Sequence, residues 1–262
     1  MARKTQDDNI QPPEPIEPDP ALAAEVLGDE PMETLPATVN PQAMASVSGI
    51  TGEINAKDIR FPRLQVAYGV GGLAEKFAPG DLVINSEYLI AHKGEKITVV
   101  VLGAHLYWKE YLSQEAFKAQ MKPRIFMTDV EVRAAGGTTE WVNGRGPTFS
   151  RAGTFRLLIE KPDKLECELF GISLDGKQYA PAEWSLDKGA YASVGPEITS
   201  SLAMALKPCG PDNGTRLKFG RWSLYTEIVK KATTTTPVPR IRLLSQRNTA
   251  AFVEALNKEL GL

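Results

Sequence analysis

The chain has little of what most catalytic sites are built from. Its 262 residues include two cysteines, Cys167 and Cys209, and two histidines, His92 and His105. No Cys-x-x-Cys pattern occurs, so neither a disulfide scaffold nor a zinc ribbon is available. There is no Gly-x-x-x-x-Gly-Lys-Ser/Thr and no His-Glu-x-x-His, and Tyr68-Gly69-Val70-Gly71-Gly72 lacks the third spaced glycine of a nucleotide-binding turn. No apolar run approaches eighteen residues, and no apolar segment follows the basic pair Arg3-Lys4, so neither a membrane span nor a secretory leader is expected. With 42% hydrophobic and 24% charged residues, the chain reads as a soluble cytoplasmic protein without a cofactor, and as a non-enzyme.

Charge is abundant but unevenly placed. Residues 1–49 hold two cations against nine acids, a net −7, which leaves +5 for residues 50–262. Prolines at 12, 13, 15, 18, 20, 31, 36 and 41 interrupt any helical period there. An acidic, proline-rich segment of this kind buries too little apolar surface to offset its ordering entropy, so 1–49 is expected to be a flexible arm. Residues 199–247 carry nine cations and only Asp212 and Glu227, a net +7. An acidic arm joined to a basic body suits a polyanion partner.

From Ile59 onward, short β-like runs alternate with glycine and proline turns. Strands are expected at 63–68, 82–91, 96–108, 124–133, 153–160, 165–174 and 177–179. His92-Lys93-Gly94-Glu95 has hairpin length, and Asp175-Gly176 is a strong two-residue hairpin turn. Ser113 is placed to cap a helix over 114–121. Gly195-Pro196-Glu197 opens a second helix with Ile198, Leu202, Ala205 and Leu206 on one stripe. Asn248 or Thr249 caps a third, bearing Phe252, Val253, Leu256 and Leu260. The expected body is mainly β: an antiparallel barrel or sandwich with two or three accessory helices and the arm in front. Three Pro-Arg-apolar triplets, at 62–64, 123–125 and 239–241, are expected to open strands.

Two patches carry the functional expectation. A strand over 215–230 would place Leu217 and Phe219 on one side, slip at Gly220 through a bulge, and continue with Trp222, Leu224, Thr226 and Ile228. Arg216, Lys218, Arg221, Ser223 and Tyr225 then fall on the other side, joined by Arg240 and Arg242 if the strand over 238–244 pairs with it. Five cations and a tyrosine on one sheet face repel one another unless an anion compensates. The second patch is Tyr107, Lys109 and Tyr111, period-2 neighbours with Trp108 turned to the core. Rings interleaved with cations suit single strands, since bases stack on rings for about 1–3 kcal/mol each while cations track phosphates. The blander reading is an ordinary sheet surface whose arginines are bridged to acids elsewhere. Pro162-Asp163 and Asp175-Gly176-Lys177 match a metal-nuclease signature by letters, but read better as two β-turns.

Phe61-Pro62-Arg63-Leu64-Gln65, Pro79-Gly80-Asp81 with Asn85-Ser86, and Trp222-Ser223-Leu224-Tyr225 followed by Asn248-Thr249 resemble bacteriophage-encoded single-stranded DNA-binding proteins of the oligonucleotide/oligosaccharide-binding fold. The resemblance covers roughly residues 59–260 and implies a barrel that coats transient single strands in replication or recombination. Many such proteins end in an acidic recruiting tail, whereas here the acids come first. The arm would serve as a decoy for the groove or recruit replication and recombination proteins, with self-association left open. A virion structural protein, such as a capsid cement, tail or internal protein with an extended arm, is the competing expectation.

Overall fold

The computed structural model describes residues 61–210, 212–231 and 234–261; the acidic arm expected over 1–49 lies outside them. In chain order the strands and helices are β1 (Leu64–Val66), β2 (Leu82–Ile84), β3 (Tyr88–Ala91), β4 (Ile97–Glu110), α1 (Gln114–Lys118), β5 (Ile125–Phe126), α2 (Asp129–Ala134) and β6 (Phe149–Glu160). They continue as β7 (Ile172–Leu174), β8 (Lys177–Leu186), α3 (Lys188–Ala203), α4 (Asn213–Phe219), β9 (Gly220–Lys231), β10 (Thr234–Arg247) and α5 (Ala250–Leu260).

Pairing is antiparallel between all named strands and makes two sheets, β1-β2-β3 and β10-β9-β4-β6-β8-β7, with β5 attached to β4. The mainly-β expectation holds at that level. Neither sheet closes on itself, so a barrel is not what the strand order describes. Five α-helices accompany the sheets among the described residues, against the two or three expected.

The large sheet is covered on both faces. On one, Val99, Val101, Phe155, Leu157, Trp184, Trp222 and Leu224 pack against Tyr191, Val194 and Ile198 of α3 and against Leu64, Leu82 and Ile84 of the small sheet. On the other, Val100, Leu158, Leu174 and Tyr179 receive Phe252, Val253, Leu256 and Leu260 of α5. Thr249 caps α5 by accepting from the Phe252 N–H at 3.1 Å, as its sequence suggests. Ser113 caps α1 likewise, though the helix stops at Lys118.

Several expectations fail for identifiable reasons. The 82–91 run is two strands, because Asn85 and Ser86 take positive φ (54° and 60°) and turn the chain. His92–Glu95 is no hairpin: β3 and β4 lie in different sheets. Between 124 and 133 only Ile125–Phe126 is extended. Thr128 and Glu131 form a capping box that starts α2, a Thr-x-x-Glu signal hidden among β-branched residues. Helix α3 begins at Lys188, seven residues before Gly195, and holds Pro196 inside it. Burial of Tyr191, Val194 and Ile198 outweighs the backbone hydrogen bond that Pro196 cannot donate, and Ala205 and Leu206 fall beyond the helix. Pro239 sits within β10 rather than opening it, which an edge strand tolerates. Asp175-Gly176 does turn β7 into β8, but only Ile172–Leu174 of the 165–174 run is strand.

Candidate nucleic-acid interface

Arg216 and Lys218 are not on a strand. Asp212 accepts from the Thr215 N–H at 2.6 Å and caps α4, so Arg216, Leu217 and Lys218 are helical and Gly220 is the joint to β9, not a bulge. A four-residue apolar alternation fits a helical turn as readily as a strand, and the cap decides. Leu217 enters the main core while Phe219 packs on the α5 side. Arg216 donates through Nε to the Asp212 carbonyl at 3.2 Å. Lys218 donates to Asn257 of α5 at 2.8 Å, and burial lowers its ammonium below the ordinary lysine value.

Arg221, Tyr225, Arg240 and Arg242 do share one sheet face. The register sets Arg240 opposite Tyr225 and Arg242 opposite Ser223, and Arg221 follows by alternation. The expected trough without counter-ions is nevertheless absent. Arg221 reaches Glu160 at 2.7 Å, where Lys177 also bonds the same carboxylate, and Arg240 holds Glu227 at 3.0 Å. Tyr225 is buried, with the Lys96 ammonium 5.6 Å from its ring centre. Among the described residues Arg242 is the exposed member of the set with no acid within ion-pair distance.

Glu160 also acts on Tyr179, directly opposite it on β8. Burial first, and the Glu160 charge second, push the Tyr179 phenol up to about 12 from 10.0. The folded chain therefore keeps the phenol neutral where the unfolded chain ionises. This contribution is complete below pH 10 and disappears as pH rises toward about 12. Urea midpoints should fall across that window in the native chain and fall less steeply in Tyr179→Phe; equal slopes would assign the loss to other groups.

The second patch lies eleven residues along β4 from the Thr98–Ser223 pairing, roughly 36 Å at about 3.3 Å per residue. The two patches therefore do not form one groove. From Leu102 to Glu110 every residue of β4 is partly exposed, although Leu102, Ala104 and Leu106 still pack against the cores. Trp108 is not in the core either: it is half-buried, with the Arg151 guanidinium 5.2 Å over its ring. Tyr107 is half-buried with the His105 ring 5.7 Å away. Lys109 bonds Asp187 at 2.9 Å, and Tyr111 is exposed with the Lys188 ammonium 4.9 Å over its ring.

A groove of about 680 Å³ opens beside this end of β4, where Lys109, Lys118 and Lys188 are joined by the acids Glu110 and Asp187 and by Phe117 and Met121. Arg156, across β6, stands 5.4 Å over Phe61. Sequence reasoning misses Arg151, Arg156 and Lys188, because each meets its ring through cross-strand register or a turn that no local pattern encodes. Among the described residues no group of three or more His, Cys, Asp or Glu side chains is arranged to hold a metal ion. None of their helices is long and apolar enough to cross a membrane. The chain matches no family model, no curated protein and no solved structure.

Proposed function

We propose that the protein binds single-stranded DNA without catalysing a reaction, using the partly exposed far end of β4. The observation that supports this reading is a pair of rings already partnered by cations there, Lys188 over Tyr111 and Arg151 over Trp108; Lys109, beside Tyr107, is held by Asp187. Rings of this kind accept unpaired bases on their faces, and the neighbouring ammonium and guanidinium groups meet phosphates. The cations of β9 and β10 enter this reading mainly through Arg242, since Arg221 and Arg240 are neutralised within the chain. Coating transient single strands in replication or recombination is the role that fits such a surface. The oligonucleotide/oligosaccharide-binding barrel remains an expectation of the resemblance.

Fluorescence anisotropy with a labelled oligo-dT, against a duplex of equal length at low and high salt, tests the reading. Binding of the single strand that weakens steeply with salt is the expected result. No binding at low salt overturns it. A virion structural role is favoured by a different feature, the apolar surface described next, and predicts the protein at high, symmetric copy number in purified particles.

A further inference from the structure

Large apolar side chains at least two-fifths exposed are concentrated in one connection. Of eleven among the described residues, seven lie between Phe117 and Val142, in the excursion that joins β4 to β6. The excursion is firmly built. Phe126 turns inward to Phe149 at 5.4 Å, Val132 is fully buried, the Thr128–Glu131 capping box starts α2, and Thr138 and Thr148 exchange hydrogen bonds across its base.

Those inward anchors fix what points out. Ile125 and Met127 flank Phe126 on the opposite side of the chain, and Val130, 68% exposed, lies on the side of α2 away from Val132. Phe117 and Met121 stand four residues apart at the α1 end, 75% and 60% exposed, and Trp141, 75% exposed, projects from the Val142–Arg145 turn.

A fully exposed aromatic side chain presents about 150–250 Å². Seven side chains, two of them aromatic and all exposed by about half to three-quarters, together offer on the order of 700 Å² of apolar surface, summed over the excursion. Each partner in a standard protein interface contributes about 800 Å².

Charge selects the kind of partner. Residues 112–148 hold five cations and four acids. Arg124 is tied to Glu110 and Arg133 to Asp129, while the Glu131 carboxylate bonds the backbone of Met127 and Thr128. Among the described residues Lys118, Lys122 and Arg145 are in no ion pair, but the Glu115, Glu131 and Glu140 charges balance them, so two identical copies meet on a surface of nearly zero net charge. A near-neutral apolar surface suits a two-fold interface, which closes at two chains.

We infer that this excursion is a homotypic interface through which two copies of the chain associate. The inference is independent of the DNA-binding reading. Sedimentation velocity of the full chain, from roughly 1 to 100 µM, should show a concentration-dependent dimer. The triple variant Phe117→Ser, Val130→Asp, Trp141→Ser should dimerise at least ten-fold more weakly, with unchanged circular dichroism and melting because all three side chains are exposed. Should the triple variant fail to fold, Val130→Asp alone carries the same expectation. A native chain that stays monomeric over the range overturns the inference, and so does a dimer that the substitutions leave intact. A monomer that still binds oligo-dT would remove this interface alone; a dimer that ignores oligo-dT would remove the binding reading alone.

Discussion

Glu160→Gln is expected to lower the unfolding free energy at neutral pH by about 2–4 kcal/mol. Glu160 ends β6 with its side chain 18% exposed and receives both Arg221, itself 16% exposed, and Lys177. Glutamine keeps the shape and one acceptor but not the charge. Arg221 would then be left largely buried beside a neutral group, and the residual access of water sets the loss somewhat below that of a fully buried pair. Replacing both partners with apolar residues, Glu160→Leu with Arg221→Met, should recover much of the loss, because an uncompensated charge is worse than none. Urea unfolding of Glu160→Leu, Arg221→Met and the double variant measures the coupling directly. A loss under about 0.5 kcal/mol for Glu160→Gln would make the contact an ordinary surface pair. Arg221 would then be free to meet a phosphate, and the β9–β10 face would return as a binding surface.

The largest effect on binding is expected from Tyr107→Ala combined with Tyr111→Ala. If each ring stacks one base for about 1–3 kcal/mol, the double variant should bind oligo-dT at least roughly 30-fold more weakly. Tyr111 is 40% exposed and Tyr107 half-buried near the end of β4, so the fold should survive, as circular dichroism would record. Lys188→Gln removes the cation over Tyr111 and should flatten the salt dependence by about one phosphate contact. Arg242→Gln serves as the competing measurement. Should it weaken binding more than the tyrosine pair does, the β9–β10 face and not the end of β4 holds the strand.

Much of the local structure is legible residue by residue. Asp175-Gly176 turns one strand into the next, Thr249 starts a helix whose four expected apolar residues are all buried, and Ser113 caps where its hydroxyl predicts. These signals act within a few residues, through backbone conformation and side-chain-to-backbone hydrogen bonds. The failures occur where local signals compete. Leu217 and Phe219 satisfy two periods at once, and the Asp212 cap three residues before Thr215 settles the matter for a helix. Pro196 signals a helix start, yet the face formed by Tyr191, Val194 and Ile198 carries the helix through it.

The sequence by itself determined a mainly antiparallel β body, the alternation that puts Arg221, Tyr225, Arg240 and Arg242 on one face, and the ring–cation spacing at Tyr107, Lys109 and Tyr111. Only the tertiary structure decided which of those charges are available to a ligand. Arg221 finds its carboxylate 61 residues away and Lys109 finds its own 78 residues away. Neutralisation of a charge depends on what strand register brings within a few ångströms, and register joins residues that share no local pattern.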